Sequence, residues 1–147
     1  MRIVIQRVKS ARLEVGGVLV SEIGHGYNVF VGVMRDDTME NVKKIAHRIA
    51  SLRLFKDENG KLKNNIKDVN GEILLVSNFT LCDRKQATGT RPDFSLSAGK
   101  ELAIELYEAL QKELIEEYNV PTKMGRFAEN MQIYTQIDGP LNLVQEY

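Results

Sequence analysis

The 147-residue chain is poor in the residues that mark several specialised classes of protein. It has one cysteine, two histidines, three prolines and no tryptophan. A single cysteine, Cys82, excludes an internal disulfide and suits a reducing compartment. The isolated His25 and His47 form no usual metal-ligand spacing, so no metal site is predicted. No glycine-rich phosphate loop precedes a predicted helix, and no cofactor is expected.

Neither charge nor hydrophobicity is concentrated in the overall composition. Twenty basic and twenty acidic residues give a net charge of zero, so bulk charge does not indicate a nucleic-acid-binding protein, although it leaves a local basic patch open. No apolar run approaches the roughly 18 residues of a membrane helix, and no hydrophobic signal segment follows Met1. We therefore expect a cytoplasmic protein, folded as a single domain over residues 1–147.

Local patterns predict an α+β fold with seven or eight strands and two helices. The first helix is capped by Asp37 or Thr38, and the second is capped by Ser95 or Ser97. Tight turns such as Gly16-Gly17 join neighbouring strands, so a largely antiparallel sheet with a barrel-like core is expected. The strands are predicted over residues 2–6, 12–15, 18–20, 27–33, 52–55, 72–78, 131–137 and 141–144.

The first segment that suggests chemistry is the polar end of an apolar strand, residues 77–81. Hydroxyl and amide groups at a strand end stand on a rigid support and face a cleft. If the strand continues, its alternation places Asn78 and Thr80 on one face and Ser77 and Phe79 on the other. The Thr80 hydroxyl either orients a water or leaving group, acts as a nucleophile beside a base, or simply bonds neighbouring backbone.

Cys82 offers a different mechanism, because a thiolate is a good nucleophile. It would need a base, and the chain supplies only His25 and His47. A Cys–His hydrolase is therefore kept as a third hypothesis behind the interpretation of Cys82 as a small buried thiol.

The second segment is Asp138-Gly139-Pro140, which interrupts an apolar C-terminal stretch. Gly-Pro between strands commonly makes only a turn. It also places bare backbone against a ligand, and an X-Pro bond is the kind that adopts the cis form. A cis bond here would direct consecutive carbonyls toward a ligand ammonium.

A basic loop follows the strand end and is the third candidate. Arg84, Lys85 and Arg91 lie within residues 83–93. The plain interpretation is a solvated surface loop. The functional interpretation is a phosphate clamp that holds an RNA end beside the site.

At these segments the chain resembles the D-aminoacyl-tRNA deacylase (D-tyrosyl-tRNA deacylase) family nearly from end to end. The family motifs are Ser-Gln-x-Thr-Leu-x-Ala and Asn-x-Gly-Pro-x-Thr, and their joint presence at this separation is a specific signal. The other matching segments are residues 2–8, 31–33, 71–74, 91–94, 125–127 and Met131. The sequence departs from the family pattern at Asn78, Asp83, Ala128, Glu129, Ile137 and Asn142.

The resemblance implies a cytoplasmic homodimer that hydrolyses the ester between a D-amino acid, or glycine, and the terminal ribose of tRNA. Such an RNA-directed hydrolase serves translation quality control. The implied catalytic segment is Ser77, Asn78, Phe79 and Thr80. The resemblance also implies a cis bond between Gly139 and Pro140, which would reject L-amino acids from the partner subunit. The implied substrate-binding residues beside them are Arg7, Phe127 and Met131.

Two mechanisms remain open within this resemblance, and so does one alternative function. Backbone N–H groups around Phe79 and Thr80 stabilise the oxyanion while the ribose hydroxyl assists, or Thr80 forms an acyl-enzyme. We favour the first, because the sequence shows no base for Thr80. The alternative function is a diverged tRNA-binding paralogue on the same scaffold, either non-catalytic or altered in specificity.

Overall fold

The computed structural model describes residues 1–84 and 89–147. Lys85, one of the predicted phosphate ligands, lies outside the described residues. The elements are β1 (Arg2–Val15), β2 (Val18–Ile23), β3 (Gly26–Gly32), α1 (Met39–Ser51), β4 (Phe55–Lys56), β5 (Leu62–Asn64), β6 (Glu72–Ser77), a 3₁₀ helix (Phe79–Cys82), α2 (Lys100–Glu116), β7 (Thr122–Met124) and β8 (Gln132–Glu146).

The main sheet is mixed, and the long strand β1 organises it. Its order is β2-β1-β3-β6-β7, with β8 also paired to β1. Strand β1 is antiparallel to β2, β3 and β8, whereas β6 is parallel to both β3 and β7. Parallel neighbours need long crossovers, which α1 and α2 supply. The predicted α+β class is confirmed.

Helices α1 and α2 cover one face of this sheet. Their buried residues keep the helical spacing seen in the sequence and pack on Ile3, Ile5 and Tyr27. Thr38 is the N-cap of α1, one of the two predicted caps, and its capping box is completed by Asn41. The predicted cap of α2 by Ser95 or Ser97 is wrong, because the helix starts later, behind Gly99.

The opposite face of the sheet carries an apolar row that the described residues leave partly uncovered. The strand registers place Val144 beside Val4, Val4 beside Phe30, and Phe30 beside Val76. Val76 is buried, Val4 and Phe30 are half-buried, and Val144 is 77% exposed. We call Val144, Val4, Phe30 and Val76 the apolar row.

Several predicted strand boundaries need correction. Residues 2–6 and 12–15 belong to the single strand β1, and residues 131–137 and 141–144 both belong to β8. The strand predicted at 52–55 is reduced to β4. In the described part of the chain, no helix has both the length and the apolar character needed to cross a bilayer.

Candidate functional site

The predicted strand end turns sharply rather than continuing. Strand β6 ends at Ser77, and Phe79–Cys82 forms a 3₁₀ helix capped by Asn78. The Asn78 side-chain oxygen accepts the backbone N–H of Thr80 at 3.2 Å and the Thr80 hydroxyl at 2.5 Å. The expected alternation of Asn78 and Thr80 against Ser77 and Phe79 is therefore wrong, since a side-chain cap curls the backbone.

Strand β3 accommodates this turn because it ends in glycine. A Cβ on Gly32 would lie 2.9 Å from the Leu81 Cβ, 3.0 Å from the Cys82 Sγ and 3.1 Å from the Asn78 carbonyl. Distances this short exclude a side chain at position 32 unless the 3₁₀ helix moves. The position of the segment is therefore set by close packing with the neighbouring strand.

A cavity of about 530 Å³ opens beside the turn. Its lining brings together five predicted site residues, which are Ser77, Asn78, Phe79, Phe127 and Met131. The rest of the lining consists of Phe30, Val31, Val33, Val76, Ser97, Ala103, Ala128, Glu129, Asn130 and Ile133. Its size and its mainly apolar lining with a few polar groups are typical of a small-molecule site.

Phe127 is held in this wall by aromatic packing from below. Its ring lies 6.1 Å from the ring of Tyr107, whose buried hydroxyl donates to the Leu75 carbonyl at 2.7 Å. Burial raises the pKa of Tyr107 well above its ordinary value, so the phenol stays protonated. Leu75 belongs to β6. Tyr107 therefore links the cavity wall at Phe127 to the strand that carries the candidate catalytic segment.

Thr80 lies one residue beyond the cavity lining and is exposed. Its backbone N–H is already bonded to Asn78, so it is not available as the second oxyanion donor expected from the sequence. The Phe79 N–H has no hydrogen-bond partner among residues 1–84 and 89–147. The unpaired N–H of Phe79 and the Thr80 hydroxyl, which is bonded to Asn78, therefore lie at the edge of the cavity.

Cys82 has the environment of a core thiol. It is fully buried, and its Sγ donates to the Val33 carbonyl at 3.3 Å. Burial raises the pKa of the Cys82 thiol, which opposes the thiolate that a nucleophile needs. His25 contacts the Val69 carbonyl and His47 lies near Tyr118, so neither histidine serves Cys82 as a base.

Gly139 and Pro140 occupy a bulge in β8 and are not among the residues that line the cavity. Gln6 pairs with Asn142 and Val8 pairs with Ile137, so Arg7 alone faces residues 138–141. Gly139 and Pro140 are exposed, and their peptide bond is cis, as predicted.

Arg7 holds this bulge against the body of the protein. Its side chain is only 8% exposed. Its Nε and Nη2 donate to the Asp138 carbonyl at 3.3 and 3.2 Å, and Nε also lies 3.3 Å from the Asp138 carboxylate. Its Nη1 donates to the Leu54 carbonyl. The planar guanidinium thus links the bulge to the segment that follows α1.

The described part of the basic loop is closed at its base. Asp83 accepts the Asp93 N–H at 2.8 Å, and the Arg84 N–H donates to the Asp93 carbonyl at 2.8 Å. The side chains of Arg84 and Arg91 are exposed and are not among the residues that line the cavity beside the strand end.

Sequence reasoning missed several lining residues, notably Phe30, Ser97 and Asn130. Phe30 sits in an apolar strand where only the sheet registers reveal which face it occupies. Ser97 reaches the cavity because residue 97 forms an isolated bridge with Met34. The sheet registers and the Met34–Ser97 bridge are tertiary features, so no local sequence pattern indicates that these residues line the cavity.

Comparison with solved structures confirms the fold. One named "c-Myc DNA Unwinding Element Binding Protein" superposes with a TM-score of 0.93 at 36% identity, covering 100% of this chain and 99% of that one. A second, described as a probable eukaryotic D-amino acid tRNA deacylase, has a TM-score of 0.84 at 15% identity and covers 98% and 97% of the two chains. At 15% identity the second match shows the fold alone.

Sequence comparison gives the family. The model of a family described as D-Tyr-tRNA(Tyr) deacylase matches residues 4–146. Relatives named D-aminoacyl-tRNA deacylase include one from Staphylococcus epidermidis, 46% identical over 99% of this chain and 95% of its own. Another, from Desulforudis audaxviator, is 44% identical over 98% and 95%. The chain belongs to this deacylase family, which confirms the predicted resemblance and the expectation of an enzyme.

Proposed function

We propose that the protein hydrolyses the ester bond of D-aminoacyl-tRNA, releasing the free D-amino acid and tRNA. The observation that carries this assignment is the cavity lined by Ser77, Asn78, Phe79, Phe127 and Met131 in a chain of the deacylase family. An apolar cavity with a polar rim suits the terminal adenosine and the attached aminoacyl group. The enzyme works in the cytoplasm, where aminoacyl-tRNA is made and used.

The reaction adds water across the ester. The water oxygen attacks the ester carbonyl, the bond to the ribose oxygen breaks, and that oxygen leaves with a proton. The free N–H of Phe79 stabilises the developing oxyanion, since a preorganised donor acts where the charge forms. Thr80, tethered by Asn78, orients the water or the ribose hydroxyl. A Thr80 acyl-enzyme is disfavoured, because the Thr80 hydroxyl donates to an amide oxygen and not to a base.

The active form is a homodimer whose sites lie at the subunit interface. The apolar row ends at the exposed Val144, and its other end, Phe30 and Val76, lines the cavity. A continuous apolar strip that starts at the sheet edge and enters the site supports a partner seated over both.

Selection against L-amino acids falls to Gly139 and Pro140 of the partner subunit. They are exposed, lack long side chains and are braced by Arg7, so they present bare backbone to a ligand. An L side chain would collide with this backbone, whereas glycine has none and should be accepted. The cations at Arg84, Lys85 and Arg91 hold phosphates of the tRNA end.

The test compares deacylation of D-tyrosyl-, L-tyrosyl- and glycyl-tRNA by the purified protein. The proposal expects rapid release of D-tyrosine and glycine and little release of L-tyrosine. Binding of tRNA without release of any amino acid would instead favour the non-catalytic paralogue. The structural relative with 36% identity is named for binding a nucleic acid, which makes that alternative worth testing.

A further inference from the structure

A second concentration of positive charge lies on the β4–β5 hairpin and the residues that flank it, separate in sequence from the loop at residues 83–93. Five cations occur between residues 53 and 67 against only Asp57 and Glu58, a net charge of +3 in a chain whose total is zero. All five are exposed, and none forms an ion pair within the described residues. They are Arg53, Lys56, Lys61, Lys63 and Lys67, and we call them the hairpin cations.

The hairpin is an ordered platform. Phe55 stacks on the buried Tyr27 at 5.2 Å, which fixes one face of β4 inward. In the turn, the Asp57 carboxylate accepts the N–H groups of Asn59 and Lys61 at 2.8 and 3.0 Å. Because Lys56 follows Phe55 in the strand, its side chain points to the opposite, solvent face. The lysines therefore stand on a fixed surface.

The platform is attached directly to the Gly139-Pro140 bulge. The guanidinium of Arg7 bonds the Leu54 carbonyl on one side and the Asp138 carbonyl on the other. The bulge and the residue that precedes β4 therefore belong to one hydrogen-bonded unit. If that bulge enters the partner's site, as proposed above, the hairpin flanks an acceptor end bound there.

The charge is also unevenly distributed over the molecule. Helix α2 carries five glutamates and only Lys100 and Lys112. A polyanion is thus attracted to the hairpin and repelled by α2, which orients its approach.

We propose that the hairpin cations form a second phosphate-binding surface, which contacts the RNA backbone of a tRNA bound at the partner's site. This inference rests on the proposed function, because it takes the polyanion to be the tRNA whose aminoacyl end is hydrolysed. The loop at residues 83–93 and the hairpin would then hold the acceptor end from two sides.

The experiment neutralises three of these lysines in the variant K56Q/K61Q/K63Q. The matched control, K43Q/K44Q/K112Q, removes three exposed lysines on α1 and α2. Both variants and the unmodified protein are assayed with D-tyrosyl-tRNA and with D-tyrosyl-adenosine, which has no phosphate. Binding of uncharged tRNA is measured separately across a salt series by fluorescence anisotropy.

The hairpin variant is expected to raise KM for D-tyrosyl-tRNA roughly tenfold and to reduce the slope of log affinity against log salt by about 2, since each lost phosphate contact removes roughly 0.7–0.9. Hydrolysis of D-tyrosyl-adenosine should be unchanged in all three proteins. Equal salt slopes for the hairpin variant and the control would overturn the proposal.

Failure of the proposed function gives a different result. No release of tyrosine from either substrate by the unmodified protein would refute the hydrolase. In that case a lower salt slope for uncharged tRNA in the hairpin variant alone would still support the phosphate surface, and an equal slope would refute it as well.

Discussion

The two segments with family motifs differ in their surroundings within one chain, because only one of them lines a cavity. The segment at Ser77 is curled by its own asparagine cap, packed on Gly32 and set at the wall of a cavity. The segment at Gly139 and Pro140 is exposed, projects from β8 and does not line that cavity. The segment at Ser77 borders a cavity of its own subunit that is large enough for a ligand. The segment at Gly139 and Pro140 presents exposed backbone to a molecule that approaches from outside the subunit.

This contrast bears on how the enzyme divides its work. A fixed cavity with one free N–H supports ester hydrolysis without reading the amino acid. An exposed bulge braced by a buried arginine supports selection, because a rigid backbone surface excludes what does not fit. In the proposed dimer the two tasks would be joined, and the predictions below separate them, beginning with the largest effect.

Separating the subunits should abolish both tasks. Val144→Glu places a carboxylate at the exposed end of the apolar row, where a partner would have to bury it. We expect a folded monomer, detected by sedimentation. Its turnover of D-tyrosyl-tRNA should be at least about 100-fold lower than that of the unmodified protein. Val18→Glu, at a residue 63% exposed on β2, is the control and should remain dimeric. A fully active monomer would refute the shared site.

Removing the tethered hydroxyl should damage hydrolysis but leave selection unchanged. Thr80→Ala is expected to lower kcat by less than the roughly 10²–10³-fold that follows the loss of an oxyanion donor, because the Phe79 N–H that stabilises the oxyanion remains. The ratio of D to L turnover should stay the same. Cys82→Ser, at a buried thiol, should affect kcat much less. An inactive serine variant beside a normal alanine variant would mean that the site is assigned to the wrong residue.

Loosening the bulge should have the opposite effect, because it should change the ratio of D to L turnover. Arg7→Lys keeps the charge but loses the planar fork that reaches Leu54 and Asp138 together. We expect turnover of L-tyrosyl-tRNA to rise roughly tenfold relative to D-tyrosyl-tRNA, a change worth about 1.4 kcal/mol. Arg12→Lys, on the same strand but exposed and paired with Glu14, should leave the ratio unchanged. Equal D-to-L ratios in the two variants would remove the bulge from substrate selection.

Much of the fold was predictable because its signals are local. The apolar period of Val42, Ile45 and Ile49 defines α1, and Gly16-Gly17 defines the first hairpin. It was harder to predict that two short strands are one continuous strand. Strand β1 runs through residues 7–11, where its pairing shifts from β3 to β2. Continuous pairing along a bent strand depends on neighbours that are distant in sequence.

The sequence named candidate residues for the site, but the geometry around them was only partly predictable. Residues 79–82 have the composition of a strand, yet the Asn78 cap and the packing on Gly32 make them a 3₁₀ helix. The bond from Arg7 to Leu54 joins positions 47 residues apart, and no local pattern indicates it. Motifs named the candidate residues, and only tertiary packing showed that Gly139 and the cavity are separate within one chain.

The smallest effect concerns the rim of the cavity. Ala128 lines it with φ at 60°, a left-handed conformation that costs a residue with a Cβ roughly 1–2 kcal/mol. Glycine pays no such cost in the folded state but loses more chain entropy on folding, so Ala128→Gly should raise the free energy of unfolding by about 0.5–1 kcal/mol.

Urea denaturation measures this change, with Ala109→Gly as the control of opposite sign. That substitution lies inside α2, where glycine destabilises by roughly 0.5–1 kcal/mol relative to alanine. Because Ala128 borders the cavity and not the bulge, the variant should keep its ratio of D to L turnover. If Ala128→Gly destabilised the protein as much as Ala109→Gly, the rim would not hold the left-handed conformation. The cavity would then be less preformed than the contrast between the two segments requires.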